Sequence, residues 1–110
     1  MQHSVERRKH QRFHISQFID IALDRETFEA ADGVNISESG LLLRTGKRFD
    51  PYDRVFVMVT LEMPEGPFVI RFNGIVIRST GSGGHYDTGI SITDIPDDER
   101  EVLRKFCHIR

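Results

Sequence analysis

Between Ile15 and Thr93 the apolar residues fall on alternate positions, and after Pro96 they stop doing so. A period of two places one face of each segment inward and the other outward, as in a half-buried β-strand. Ile19, Ile21 and Leu23 alternate with Asp20 and Ala22. Turn chemistry cuts the pattern into short pieces. Asp24-Arg25-Glu26 is one break, and a second strand is expected over residues 27–36 with a bulge near Asp32-Gly33. Gly40 opens a third strand, residues 41–45. The Val- and Phe-rich residues 54–63 form a fourth, and Pro64-Glu65-Gly66-Pro67 turns it into a fifth at 68–79, with a bulge or bend at Gly74. Gly81 to Gly84 then turns the chain into a sixth strand over 85–93.

Past Pro96 the apolar residues are Val102, Leu103, Phe106 and Ile109, spacings that make one stripe on a helix. Asp97 or Asp98 can cap its start, where acidic side chains also suit the helix dipole. Six short strands followed by one helix predict a mainly β fold: a closed or nearly closed six-stranded antiparallel barrel with a C-terminal α-helix over one opening or edge.

The chain has 110 residues, which is one domain's worth of core. Two parts are expected, a basic N-terminal tail at 1–14 and the barrel with its helix at 15–110. The longest apolar run, Val55 to Val59, is far short of the roughly 20 residues that span a bilayer. The polar, basic start carries no secretory pattern, and the single cysteine, Cys107, suits a reducing compartment; a cytoplasmic location is expected, without membrane insertion.

Net charge is −2, but it is unevenly placed. Arg7, Arg8, Lys9 and Arg12 face only Glu6 within residues 1–14, a net of +3, which leaves −5 for the rest. A short basic segment on an acidic body suits a trap for a small anion better than a surface that coats nucleic acid. The tail has only Val5 and Phe13 as apolar anchors beyond Met1, so it is expected to be mobile until something neutralises its arginines.

Several patterns carry no chemistry. His3, His10 and His14 match no metal-site spacing. Adjacent helical residues point about 100° apart, so Cys107 and His108 are not a catalytic pair. Gly81 to Gly84 precedes a strand rather than a helix and lacks a Gly-Lys-Ser/Thr, so it is no phosphate loop. No pair of carboxylates suggests acid–base work. Neither an enzyme, a metal nor a cofactor is expected.

Two short motifs remain. Arg7-Arg8-Lys9-His10-Gln11-Arg12 precedes the strands, and Asn35-Ile36-Ser37-Glu38-Ser39-Gly40 lies between the second and third. Alone, the first reads as a solvated basic segment and the second as an ordinary turn. In this order, ahead of this barrel, they resemble the PilZ family, whose signature is Arg-x-x-x-Arg followed by Asp/Asn-x-Ser-x-x-Gly. Arg8 and Arg12 match the first half, preceded by the extra arginine, Arg7, that many members carry. Asn35, Ser37 and Gly40 match the second without departure. Tyr86 to Ile92, in which Gly89 precedes an alternating apolar run, also looks like the family's last strand.

The resemblance implies a receptor for cyclic di-GMP, with Arg7, Arg8, Arg12, Asn35, Ser37 and Gly40 at the ligand and a downstream protein partner. It implies no catalysis. The chemistry is compatible with such a ligand, which has two phosphates and two guanines. Arginine forks onto guanine O6 and N7 or onto phosphate, and its plane stacks on a purine. Asn35 offers donors and an acceptor, and Ser37 a hydroxyl. Arg78, at the end of the fifth strand, is a further candidate. Two alternatives stand beside this reading: a PilZ-like protein–protein interaction module that binds no nucleotide, and a barrel for single-stranded nucleic acid. The second is disfavoured by the acidic body and the absence of tryptophan.

Overall fold

The computed structural model describes residues 13–14, 18–23 and 27–108. Seven strands precede one helix: β1 (Phe13–His14), β2 (Phe18–Ala22), β3 (Glu29–Ile36), β4 (Gly40–Thr45), β5 (Arg54–Met63), β6 (Gly66–Ser82), β7 (His85–Asp94) and α1 (Asp97–His108). All pairings are antiparallel, and the order β3-β2-β5-β6-β7-β4 closes because β3 also pairs with β4. This is the six-stranded barrel expected from the alternation.

β1 is the element the pattern did not show. It pairs Phe13 with Ile36 and His14 with Asn35. β4 already occupies the other edge of β3 along this stretch, so β1 runs on the same edge as β2 and continues its line. Two residues are too few to display a period, which is why this pairing was not legible in the segment expected to be a tail.

The barrel interior is filled from alternate positions. Val55, Val57, Val59 and Leu61 of β5 are buried while their neighbours are half-buried or exposed. Ile19, Ile21, Ile36, Leu41, Leu43, Ile70, Phe72, Val76 and Ile90 meet them from the other strands. Each such side chain contributes roughly 1.5–3 kcal/mol on burial, so the core, not strand propensity, sets which face turns inward.

Strand ends and bulges differ from the sequence expectation in instructive ways. β6 is longer than residues 68–79 because the hairpin needs only Pro64 and Glu65 as its turn, with Met63 paired to Gly66. At the other end Ser82 pairs with His85 across Gly83 and Gly84, whose φ values of 62° and 81° suit a tight hairpin turn. The irregularity in β3 falls between Gly33 and Asn35, at Val34, rather than at Asp32-Gly33. The β6–β7 register shifts twice: beside Gly74, where the extra residue is Thr93 of β7, and between Val76 and Arg78, where it is Ile77 of β6.

α1 starts with three acidic residues, Asp97, Asp98 and Glu99, and buries Leu103, Phe106 and Cys107, with Val102 half-buried. Cys107 joins the stripe four residues after Leu103, acting as a small apolar group. Glu99 also accepts a hydrogen bond from the backbone N–H of Arg71. β7 stops pairing with β6 at Asn73, so the helix satisfies a strand donor that the sheet leaves open.

Candidate functional site

The second motif is the connection between β3 and β4. Ser37 is buried, with 1% of its surface exposed. Its N–H donates to the Gly40 carbonyl at 2.8 Å, its hydroxyl donates to the same oxygen at 3.3 Å, and the Ser39 N–H donates to that hydroxyl at 3.3 Å. The Ser37 side chain therefore holds the turn in shape from within. The Ser39 carbonyl in turn accepts from the Ile92 N–H at 2.9 Å, which fixes the turn to β7. Gly40 has an ordinary strand φ, and its need for glycine is steric: it packs directly against the Ile90 backbone of β7.

Outside the barrel wall, a groove of about 450 Å³ lies over the strands that this turn joins. One cross-strand row forms its base: Asn35 of β3 pairs with Leu42 of β4, Leu42 with Gly89 of β7, and Gly89 with Arg78 of β6. At about 4.8 Å between strands, the row from Asn35 to Arg78 spans roughly 14 Å. Ser39, Gly40, Ser91 and Ile77 complete the rim. The groove thus brings together Asn35, Gly40 and Arg78 from the sequence-derived set, while Ser37 supports it from below. Arg7, Arg8 and Arg12 lie outside the described residues. Leu42, Ile77 and Gly89 were not singled out for the site from sequence: the first two read as ordinary outward members of alternating strands, and it is Arg78 that the bulge adds to the outward face beside Ile77.

The position of Arg78 follows from that bulge. The loop between β4 and β5 clamps β6 on both sides of it. On one side the Tyr52 N–H donates to the Val76 carbonyl at 2.7 Å, and the Val76 N–H donates to the Asp53 carbonyl at 2.9 Å. Tyr52 takes a left-handed φ of 72° to do so, a conformation that a bulky residue holds only when its surroundings impose it. On the other side the Phe49 N–H donates to the Ser79 hydroxyl at 3.1 Å. Ser79, Thr88 and Thr45 form a buried hydroxyl chain with spacings of 2.8 and 2.9 Å, and Thr45 donates on to the Lys47 carbonyl at 2.8 Å. Ile77 and Arg78 are thereby turned out onto the groove. Among the described residues Arg78 makes no ion pair, whereas Arg44, on the next cross-strand row, binds Asp87 at 3.3 Å.

Behind the turn, Glu38 lies 4.0 Å from Nε2 of His108 at the end of α1. Burial, and secondarily the Glu38 charge, push the Cys107 thiol up to about 11, so it is neither a nucleophile nor a ready metal ligand at neutral pH. Among the described residues no cluster of three His, Cys, Asp or Glu side chains could hold a metal ion, and no helix is long and apolar enough to cross a membrane. A second groove of about 430 Å³, lined by Leu23, Arg54, Phe56 and Asn73 among others, contains no residue of either motif.

The chain is thus a closed, antiparallel six-stranded barrel module whose outer wall carries a groove with Asn35 at one end and Arg78 at the other. Comparison with known families gives its kind: residues 6–108 match the PilZ domain, and the chain belongs to that family. Among solved structures it is similar to the Bacillus subtilis inhibitor of motility (MotI/DgrA), at 18% identity and a TM-score of 0.82, over 96% of this chain and 51% of that one. It is also similar to MrkH of K. pneumonia, solved as a complex with c-di-GMP, at 16% identity and a TM-score of 0.65, over 92% of this chain and 51% of that one. The chain spans about half the length of either. No curated protein matches the sequence closely.

Proposed function

We propose that this PilZ domain is a receptor for cyclic di-GMP and does no chemistry of its own. The observation that carries this reading is the register of β1. Phe13, which directly follows Arg12, pairs with Ile36, and His14 pairs with Asn35. The chain thus joins the barrel, one residue after Arg12 in sequence, beside the second motif and at the Asn35 end of the groove. The PilZ match and the likeness to MrkH, which was solved with c-di-GMP, support the choice of ligand.

In this reading Arg8 and Arg12 clamp the ligand through its phosphates and guanine edges, Asn35 meets a base edge, and Arg78 closes the far end of the groove. Ser37 and Gly40 hold the turn that presents Asn35. Binding draws residues 1–12 onto the barrel, extending the pairing that Phe13 and His14 already make, and the resulting surface is read by a protein partner in the bacterial cytoplasm. A single-stranded nucleic acid is a poorer fit, because the residues lining the groove include no aromatic side chain on which bases could stack.

Titration calorimetry with cyclic di-GMP, GMP and cyclic GMP tests the reading. Binding of cyclic di-GMP in clear preference to the other two is expected, since it alone offers two guanines and two phosphates at fixed separation. No heat and no amide shifts at high micromolar cyclic di-GMP would replace this reading with that of an interaction module.

A further inference from the structure

Gly40 and Gly89 lie within strand pairings along the groove and Gly74 within the β5–β6–β7 pairings beyond it, and two of the three have an evident steric reason. A Cβ on Gly40 would meet the Ile90 carbonyl oxygen, and one on Gly74 would fall 2.6 Å from Cγ2 of Ile90. Gly89 differs. Among the described residues nothing lies within 4 Å of where its Cβ would be, and its φ is not in the left-handed region. It sits inside β7, paired on one side with Leu42 and on the other with Arg78. Glycine inside a strand weakens it, through backbone entropy and the loss of a packing side chain, and it marks a bulge or a place that another molecule approaches closely. Gly89 stands opposite the β6 bulge, but the extra residue is Ile77 of β6 and the Gly89 backbone is ordinary, so the bulge does not itself require glycine here.

The missing side chain lies at the middle of the groove. Leu42, half-buried, flanks it on β4, and Ile77, 55% exposed, flanks it from the β6 bulge. The polar groups, Asn35 and Arg78, stand at the two ends of the same cross-strand row. Gly89 thus opens a floor of bare backbone between two apolar side chains, with polar side chains toward its margins. That arrangement matches a planar heteroaromatic base lying on its face, its edge turned to the polar ends.

Resting on the receptor reading above, we infer that Gly89 is a specificity-determining residue: it leaves the space in which the face of one guanine lies, between Leu42 and Ile77. Any Cβ there points into the ligand's volume and not into the protein. A side chain at Gly89 therefore interferes with ligand while leaving the fold intact. The two effects are normally hard to separate in a strand, and here they are separable because the space is external.

The experiment compares the full chain with Gly89→Ala and Gly89→Val, and with Gly46→Ala as a control. Gly46 also has nothing within 4 Å of its Cβ position and lies outside the groove. Thermal unfolding and calorimetric titration with cyclic di-GMP are measured for each. The expected result is an unfolding midpoint unchanged or raised in all three. Affinity should fall in the order Gly89→Ala, then Gly89→Val, by at least tenfold for valine, with Gly46→Ala binding as the unsubstituted chain does. In the unsubstituted complex the Gly89 Hα resonances should move upfield under the ring current of the base. Binding by Gly89→Val within threefold of the unsubstituted chain would overturn the inference and leave the receptor reading standing. So would unshifted Hα resonances. Unfolding of Gly89→Ala would overturn it too, by showing that the glycine serves the strand. Absence of binding by the unsubstituted chain is the distinct outcome that removes the receptor reading and this inference together.

Discussion

A Cβ on Gly40 would stand 2.5 Å from the carbonyl oxygen of Ile90, across the pairing of β4 with β7. The obstacle is backbone, which cannot rotate away as a side chain could. Gly40→Ala should therefore open this strand pair and cost about 1–3 kcal/mol, the range for overpacking a closed interior. Urea unfolding checks this through a lower midpoint at unchanged slope.

The hydroxyl chain of Thr45, Thr88 and Ser79 makes a second prediction. Ser79→Ala leaves the Phe49 N–H without its acceptor in a buried place. A stranded buried donor costs about 1–3 kcal/mol. Because the same hydroxyl anchors the loop beside Ile77 and Arg78, amide exchange should also rise in residues 47–53 and 76–80. A loss of stability without that local increase would separate the hydroxyl from control of the bulge.

Cys107 gives a pH signature. Its thiol titrates near 9.0 when unperturbed and at about 11 in the folded protein, chiefly through burial. Between these values the folded state keeps a proton that the unfolded state has lost, so this group's contribution to stability is full below pH 9 and declines up to about pH 11. Cys107→Ala should show less of that alkaline decline. At neutral pH a thiol-reactive probe should label the native protein at the rate of its opening and the urea-unfolded protein at once.

For the ligand, Arg8→Ala and Arg12→Ala should each cost about 1.5–3 kcal/mol, a loss of roughly 10–150-fold in affinity. Calorimetry reads this directly. Both variants binding normally while Arg78→Ala fails would move the site to the β6 end of the groove.

Arg7 bears on stoichiometry. Under the receptor proposal, the family resemblance implies that an arginine directly before the first motif arginine accompanies a stacked pair of nucleotides, so two cyclic di-GMP per domain are expected. Arg7→Leu should bring the ratio toward one while leaving appreciable affinity. A ratio of one for the unsubstituted chain at saturation would end this expectation.

What could be read from sequence was what is local. The alternation through Val55, Val57, Val59 and Leu61 gave the inward face, because side-chain direction in a strand follows from position alone. The spacing of Leu103 and Phe106 gave the helix for the same reason. Asn35, Gly40 and Arg78 were recognised as candidate ligand residues, two of them by motif, but the strand row that joins them in one groove was not legible.

Tertiary structure decided the rest, because strand register is a long-range property. Only the pairings Asn35 with Leu42, Leu42 with Gly89 and Gly89 with Arg78 place residues 43 positions apart in sequence on one row. Only the turn's own hydrogen bonds show that the Ser37 hydroxyl faces inward. Gly40 and Gly89 are the same letter in the sequence. The closeness of Ile90 behind one, and the open space before the other, come from strands that meet only when the barrel closes.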